Sequence, residues 1–218
     1  ELLSKSLLPL PEKYHGLQNK ELRYRHRYID LISNPETKLV FKTRSKTISL
    51  IRHFLENSDF MEVETPVLHN IYGGAAAKPF QTYHNDLEQN LYLRIALELH
   101  LKRIIVGGFE KIFEIGRVFR NEGVSYKHNP EYTLLELYQA YTDYNEMMDL
   151  TEKLLSYLVE KTHNNKVIKY KDQEIDFSKP FKRIKLTDIL KEKLDVDCFS
   201  LESLQNKAKE LKIDIPKD

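Results

Sequence analysis

An arginine, several carboxylates and aromatic rings crowd into one short stretch, residues 111–141, KIFEIGRVFRNEGVSYKHNPEYTLLELYQAY. It reads as strand, polar loop, strand. Alternate side chains of a strand take opposite faces. One face therefore carries Arg120 and Glu122 on the first arm, and Tyr132, Glu136 and Tyr138 on the second. That set makes a poor hydrophobic core. It suits a pocket for a charged, flat-ringed ligand such as a nucleotide.

The elements that must hold this hairpin can be read on either side of it. Residues 1–17, with Pro9, Pro11 and Gly16, suit a linker. Residues 18–32 read as a basic helix, with Arg23, Arg25 and Arg27 beside Tyr24 and Tyr28. A solvated helix face accounts for that pattern better than an RNA-contacting patch. Pro35 can open the next helix near its first turn, and Phe41, Ile48, Ile51 and Leu55 then recur at helical spacing. Residues 61–66 look like a strand ended by Pro66, because proline donates nothing to a ladder. The run Gly73, Gly74, Ala75, Ala76, Ala77 is small enough to let backbone approach a ligand closely, although an ordinary glycine turn looks the same. A strand over 91–95 leads into a helix over 97–106, closed by Gly107 and Gly108. Beyond the hairpin, Asp143 and Glu146 form a capping-box start, and Met147, Leu150, Leu154 and Leu158 make a core stripe. Residues 167–177 read as a hairpin, and two short helical segments follow.

Composition sets outer bounds. With 218 residues and 41% hydrophobic content, the chain can bury a sizeable core. Charged residues make up 31% and nearly cancel to +1, so global charge argues neither for nor against nucleic acid. One cysteine, Cys198, excludes an internal disulfide framework and a cysteine zinc site, and a reducing compartment is the default. No apolar run approaches membrane-spanning length. The alternation of strands and helices indicates a mixed α/β or α+β domain.

Several segments together resemble one family. Phe119, Arg120, Asn121, Glu122 and Gly123, then residues 128–133 (HNPEYT), then Glu136, resemble motif 2 of the class II aminoacyl-tRNA synthetases, and more narrowly their lysyl branch. Phe41 through Arg52, Phe60 and residues 62–66 (EVETP) resemble motif 1. Residues 73–80 (GGAAAKPF) resemble the substrate loop of the lysyl enzymes, and residues 94–99 and 140–144 match further segments. The likeness runs through nearly the whole chain. Leu97 stands where that family usually has proline, a change expected to alter the helix start and leave the chemistry alone. Nothing resembling motif 3 is found, so the chain is expected to be the first part of a catalytic domain, 18–218, preceded at 1–17 by the linker from an anticodon-binding barrel. Alone, it is expected to be inactive.

The resemblance implies an antiparallel sheet flanked by helices, an α+β fold, and a lysine–tRNA ligase activity. Lysine would be activated with ATP and then passed to the 3′ end of tRNA(Lys). Both reacting groups in activation are anionic, and the planar fork of Arg120 can hold carboxylate and phosphate oxygens together. Arg120 is thus the implied catalytic residue, with a salt bridge to Glu114 or Glu122 as the ordinary alternative. Glu122, His128, Asn129 and Tyr132 join it at ATP, with Tyr132 stacking on adenine. Gly74, Glu98, Glu136 and Tyr138 join it at lysine. Magnesium is implied, with ligands expected beyond Asp218 and none among these residues. A homodimer through motif 1, a cytoplasmic location and no membrane partner complete the implications. Two alternatives stay open: a paralogue that lysylates a translation elongation factor, and a non-catalytic RNA-binding or dimerisation module.

Overall fold

The computed structural model describes residues 3–5, 7–11 and 16–214. Residues 1, 2, 6 and 12–15 of the expected linker, and 215–218, lie outside the described residues. Asn19 caps helix α1 (Lys20–Arg25) by accepting from the Leu22 amide at 3.1 Å. The chain then breaks at His26 (φ −114°, ψ 55°) before α2 (Arg27–Ser33). The single helix expected over 18–32 is therefore two, and Asp30 supplies the reason. Its side chain is fully buried and accepts from Arg23 Nε at 2.7 Å and from Arg27. In one continuous helix a seven-residue spacing is about 10.5 Å of rise, more than an arginine side chain reaches. Burial alone would raise the Asp30 carboxyl, but hydrogen bonds from Asn34, Arg23 and Arg27 outweigh it and hold the pKa at about 2. Arg23 and Arg27 thus turn inward, contrary to the solvated face expected, while Arg25 pairs with Glu21 at the surface.

Pro35 occupies the first turn of α3 (Pro35–Glu56), as its missing N–H allows. The strand expected over 61–66 is only β1 (Met61–Glu62). After the Val63 amide bonds the Phe113 carbonyl at 2.9 Å, the ladder stops, because the Thr65 carbonyl is taken by the Arg94 side chain at 3.0 Å. A small antiparallel sheet follows, built from β2 (Leu68–His69), β3 (Gln81–His84) and β4 (Gln89–Leu93) with β4 in the centre. Helix α4 (Glu98–Val106) ends at Gly107 and Gly108, the latter at φ +101°.

The expected hairpin is β5 (Lys111–Phe119) and β6 (Glu131–Gln139), antiparallel, with β1 parallel to β5 on its far side. Register pairs Ile112 with Tyr138, Glu114 with Glu136 and Val118 with Tyr132, so the even-numbered residues of both arms share a face. That face is divided rather than wholly polar. Ile112, Val118 and Leu134 pack under Leu97, Leu101, Ile104 and Ile105 of the α4 region. The opposite face, Phe113, Ile115, Leu135 and Leu137, packs on Ile51, Phe54 and Leu55 of α3 and on Leu150. Leu150 belongs to α5 (Tyr144–His163), which opens with the expected capping box between Asp143 and Glu146. Strands β7 (Val167–Tyr170) and β8 (Gln173–Asp176) form the later hairpin. The sheet between helices is the α+β arrangement expected.

The chain divides into two compact units, Glu1–Ile175 and Asp176–Asp218. The second holds α6 (Leu186–Leu194) and α7 (Leu201–Glu210), the latter capped by Ser200 accepting from the Ser203 amide at 3.2 Å.

Candidate active site

The loop between β5 and β6 closes a cleft of about 370 Å³ lined by Arg120, Glu122, Gly123, Lys127, His128, Asn129 and Tyr132. The five residues expected at ATP therefore line one cavity. Backbone bonds fix its walls: the Arg120 amide donates to the Pro130 carbonyl at 2.8 Å and the Asn121 amide to the Lys78 carbonyl at 2.7 Å. The Lys78 amide in turn donates to Glu122 Oε1 at 3.3 Å. This ties the 73–80 segment, small at its first five residues, to the hairpin loop. The Ser125 hydroxyl and His128 Nδ1 stand 2.8 Å apart across the tip.

Arg120 makes neither of the salt bridges that were its ordinary alternative. Its Nε donates to the Ile95 carbonyl at a long 3.4 Å, and its guanidinium lies 5.5 Å over the Tyr132 ring. Among the described residues no carboxylate pairs with it. Glu114 is instead held by Arg94 at 2.6 Å, both side chains being about 4% exposed.

The residues expected at lysine gather where α4 begins. Gly74 sits at φ +83°, and a Cβ there would lie 2.9 Å from the Glu98 Cβ and 3.1 Å from the Ala96 Cβ. Only glycine combines that backbone with that approach. Glu98 itself is paired with Lys102 one turn on, at 2.6 Å. Glu136 accepts from the Leu97 amide at 3.0 Å through Oε1 and from the Tyr138 hydroxyl at 3.0 Å through Oε2. Burial, then the Glu136 carboxylate beside it, pushes the Tyr138 phenol well above its ordinary value, so it stays a donor. Leu97, where the family usually has proline, donates its N–H, which a proline would lack, to Glu136.

Glu114 and Glu136 face each other across the two strands on the same face. Like charges directly opposite are unfavourable unless each is separately compensated. Glu114 takes Arg94 and the Thr65 hydroxyl, which donates at 2.6 Å. Glu136 takes two neutral donors, and among the described residues no cation pairs with it. Sequence reasoning missed Arg94, Thr65 and Glu114. The available signal was Gly116, a glycine inside a strand, which marks a close approach.

Residues 19–215 match the family described as tRNA synthetases class II (D, K and N). The chain belongs to that class II synthetase family. Curated relatives carry the name lysine–tRNA ligase. The protein of Thermoanaerobacter sp. (strain X514) is 61% identical over 197 residues, 90% of this chain and 40% of its own length. That of Prochlorococcus marinus (strain MIT 9515) is 56% identical over 215 residues, 99% of this chain and 42% of its own. That of Fervidobacterium nodosum is 57% identical over 197 residues. The chain thus spans about two fifths of the length of the synthetases it matches. The expected linker, 1–17, lies wholly ahead of the family match.

Among the described residues no three or more His, Cys, Asp or Glu side chains gather as a metal site, so these side chains do not fit magnesium. Also among the described residues, no helix is long and apolar enough to cross a membrane.

Proposed function

We propose that this chain carries the first part of the activation site of a lysine–tRNA ligase. The observation that carries the reading is Arg120, a cation held over Tyr132 in the lining of the cleft, with no carboxylate paired to it among the described residues. Activation joins two anions. A carboxylate oxygen of lysine attacks the α-phosphorus of ATP, a new O–P bond forms, and the bond to pyrophosphate breaks. The products are lysyl-adenylate and pyrophosphate; a ribose hydroxyl at the 3′ end of tRNA(Lys) then attacks the lysyl carbonyl and gives up its proton, an ester bond forms, the acyl–phosphate bond breaks and AMP leaves. No protein nucleophile is required, so the chain's task is positioning and electrostatic stabilisation. Arg120 bridges the lysine carboxylate and the α-phosphate. Glu122 accepts from the adenine amino group, Tyr132 stacks on the ring, and His128 and Asn129 hold the outer phosphates.

At the other end, the Gly74 backbone and Glu98 receive the α-ammonium, Glu98 exchanging its Lys102 partner for the substrate. Glu136 and Tyr138 receive the side-chain end, where an unpaired half-buried carboxylate is matched by an ammonium. ATP, with the magnesium such chemistry calls for, lysine and tRNA(Lys) are the partners on this reading, in the cytoplasm and away from membranes. Residues 18–218 form the leading part of the catalytic domain and 1–17 the linker into it. A homodimer through α3 and the segment ending at Pro66 goes with it, supported by Leu39, Val40 and Phe41, all exposed on α3.

The test is amino-acid-dependent ATP–pyrophosphate exchange by the full-length protein with lysine, aspartate and asparagine, followed by charging of tRNA(Lys). Lysine alone should support exchange, and the tRNA should be charged. Exchange with aspartate or asparagine instead would overturn the substrate. Exchange with lysine but no tRNA charging would favour the factor-modifying paralogue.

A further inference from the structure

We infer that Arg94 is a positioning residue for activation: its buried guanidinium sets the spacing between Arg120 at the reacting end and Glu136 at the side-chain end. The inference rests on the reading above and concerns a residue that reading does not use. Arg94 is 3% exposed and joins three segments. Its Nε donates to the Arg117 carbonyl at 2.8 Å, and its Nη1 to Glu114 Oε1 at 2.6 Å, the Thr65 carbonyl at 3.0 Å and the Thr65 hydroxyl at 3.2 Å. Its backbone adds two more ties. The amide donates to the Val67 carbonyl and the carbonyl accepts from the Phe119 amide, both at 2.9 Å.

The next three residues are the ones that touch the site. The Ile95 carbonyl accepts from Arg120, the Ala96 Cβ lies against Gly74, and the Leu97 amide donates to Glu136. Residues 95–97 are thus a short ridge in contact with both ends of the proposed pocket, and Arg94 fixes its root. A plain structural pair would need only Glu114. Here backbone carbonyls of two separate segments, Thr65 and Arg117, accept from the same planar fork, which suits arginine and not lysine.

Arg94 also decides the charge pattern. By pairing with Glu114 it neutralises one of two carboxylates that face each other across the strands, leaving Glu136 for a cationic substrate. Gly116 provides the seat: a Cβ there would come 2.3 Å from Arg94 Nη2 and 3.0 Å from Glu114 Oε1.

The experiment uses the full-length protein. Wild type is first assayed for exchange with lysine, aspartate and asparagine, and the amino acid it activates is used for every variant. A wrong substrate assignment then shows in wild type, apart from the inference about Arg94. Gly116→Ala displaces the guanidinium with every charge intact, and Arg94→Lys keeps the charge but loses the fork. Rates are expressed per active site by adenylate burst titration, so partial unfolding lowers the number of sites rather than the rate. A misplacement of ~1 Å can cost up to ~100-fold. Gly116→Ala should lower kcat about tenfold and raise KM for the amino acid about tenfold together, since both ends of the pocket move. Arg94→Lys should fall between Gly116→Ala and Arg94→Met, and if Arg94→Met does not fold the first two variants carry the test. Values of kcat and KM both within about twofold of wild type in Gly116→Ala and Arg94→Lys, or a change in only one of the two, would overturn the inference.

Discussion

Replacing Arg120 by alanine separates catalysis from stability, because the structure gives the side chain so little to do in the fold. Among the described residues its side-chain polar contacts are one 3.4 Å hydrogen bond to the Ile95 carbonyl and the cation–ring contact 5.5 Å over Tyr132. A long neutral-acceptor bond and a part-exposed cation–π contact are worth about 0.5 kcal/mol each, so the fold should lose about 1 kcal/mol. In a domain of this size that lowers Tm by about 2–4 °C. The transition state stands to lose more. A preorganised donor aimed at developing charge is worth about 3 kcal/mol, or about a hundredfold in rate. The two figures differ enough to be told apart in one preparation. Lysine-dependent ATP–pyrophosphate exchange by full-length Arg120→Ala should fall about a hundredfold while the melting curve barely moves. Arg120→Lys, which keeps a cation but not the bidentate fork, should recover part of the loss. Activity within a few-fold of wild type would refute the assigned role, and so would a loss of activity that tracks unfolding.

Glu136→Gln keeps the acceptor for the Leu97 amide but removes the charge. KM for lysine should rise about tenfold or more with Tm nearly unchanged, as for the loss of one charged hydrogen bond, and an unaltered KM would place the lysine side chain elsewhere. Asp30, held at about pKa 2 against an ordinary 3.8, contributes stability that is complete above pH 4 and is lost as pH falls towards 2. Thermal melts between pH 2 and 5 should show that loss, and parallel curves for wild type and Asp30→Asn would deny Asp30 a part in it. Light scattering of the full-length protein at micromolar concentration should give a two-fold dimer, and a monomer alone would rule out the interface proposed on α3 and the segment ending at Pro66.

What the sequence disclosed divides by how far each feature reaches along the chain. The shared face of Tyr132, Glu136 and Tyr138 was readable because strand alternation is a property of the backbone itself, whereas Arg120 and Glu122, expected on the first arm by the same alternation, lie beyond the end of β5 at Phe119, in the loop. The α5 capping box and the Pro35 start were readable because their partners lie within one turn. The strand ending at Pro66 was misjudged for the opposite reason, since the group that stops its ladder is the side chain of Arg94, 29 residues away from Thr65. The same distance effect hid the break at His26, which depends on a carboxylate burying itself between two arginines. Arg94, Glu114 and Asp30 all resemble the many charged residues that stay in water, and a composition that nearly cancels gives no hint of which ones do not. Glycine is the exception, because it records the space a neighbour needs. Gly74 and Gly116 stand where a Cβ would strike Glu98 and Arg94. The first marks the proposed floor of the substrate pocket. The second marks the seat of the guanidinium behind it. Residues that would meet the substrate advertise their chemistry by type. Those that hold them in place show in the sequence only through the small residues that make room for them.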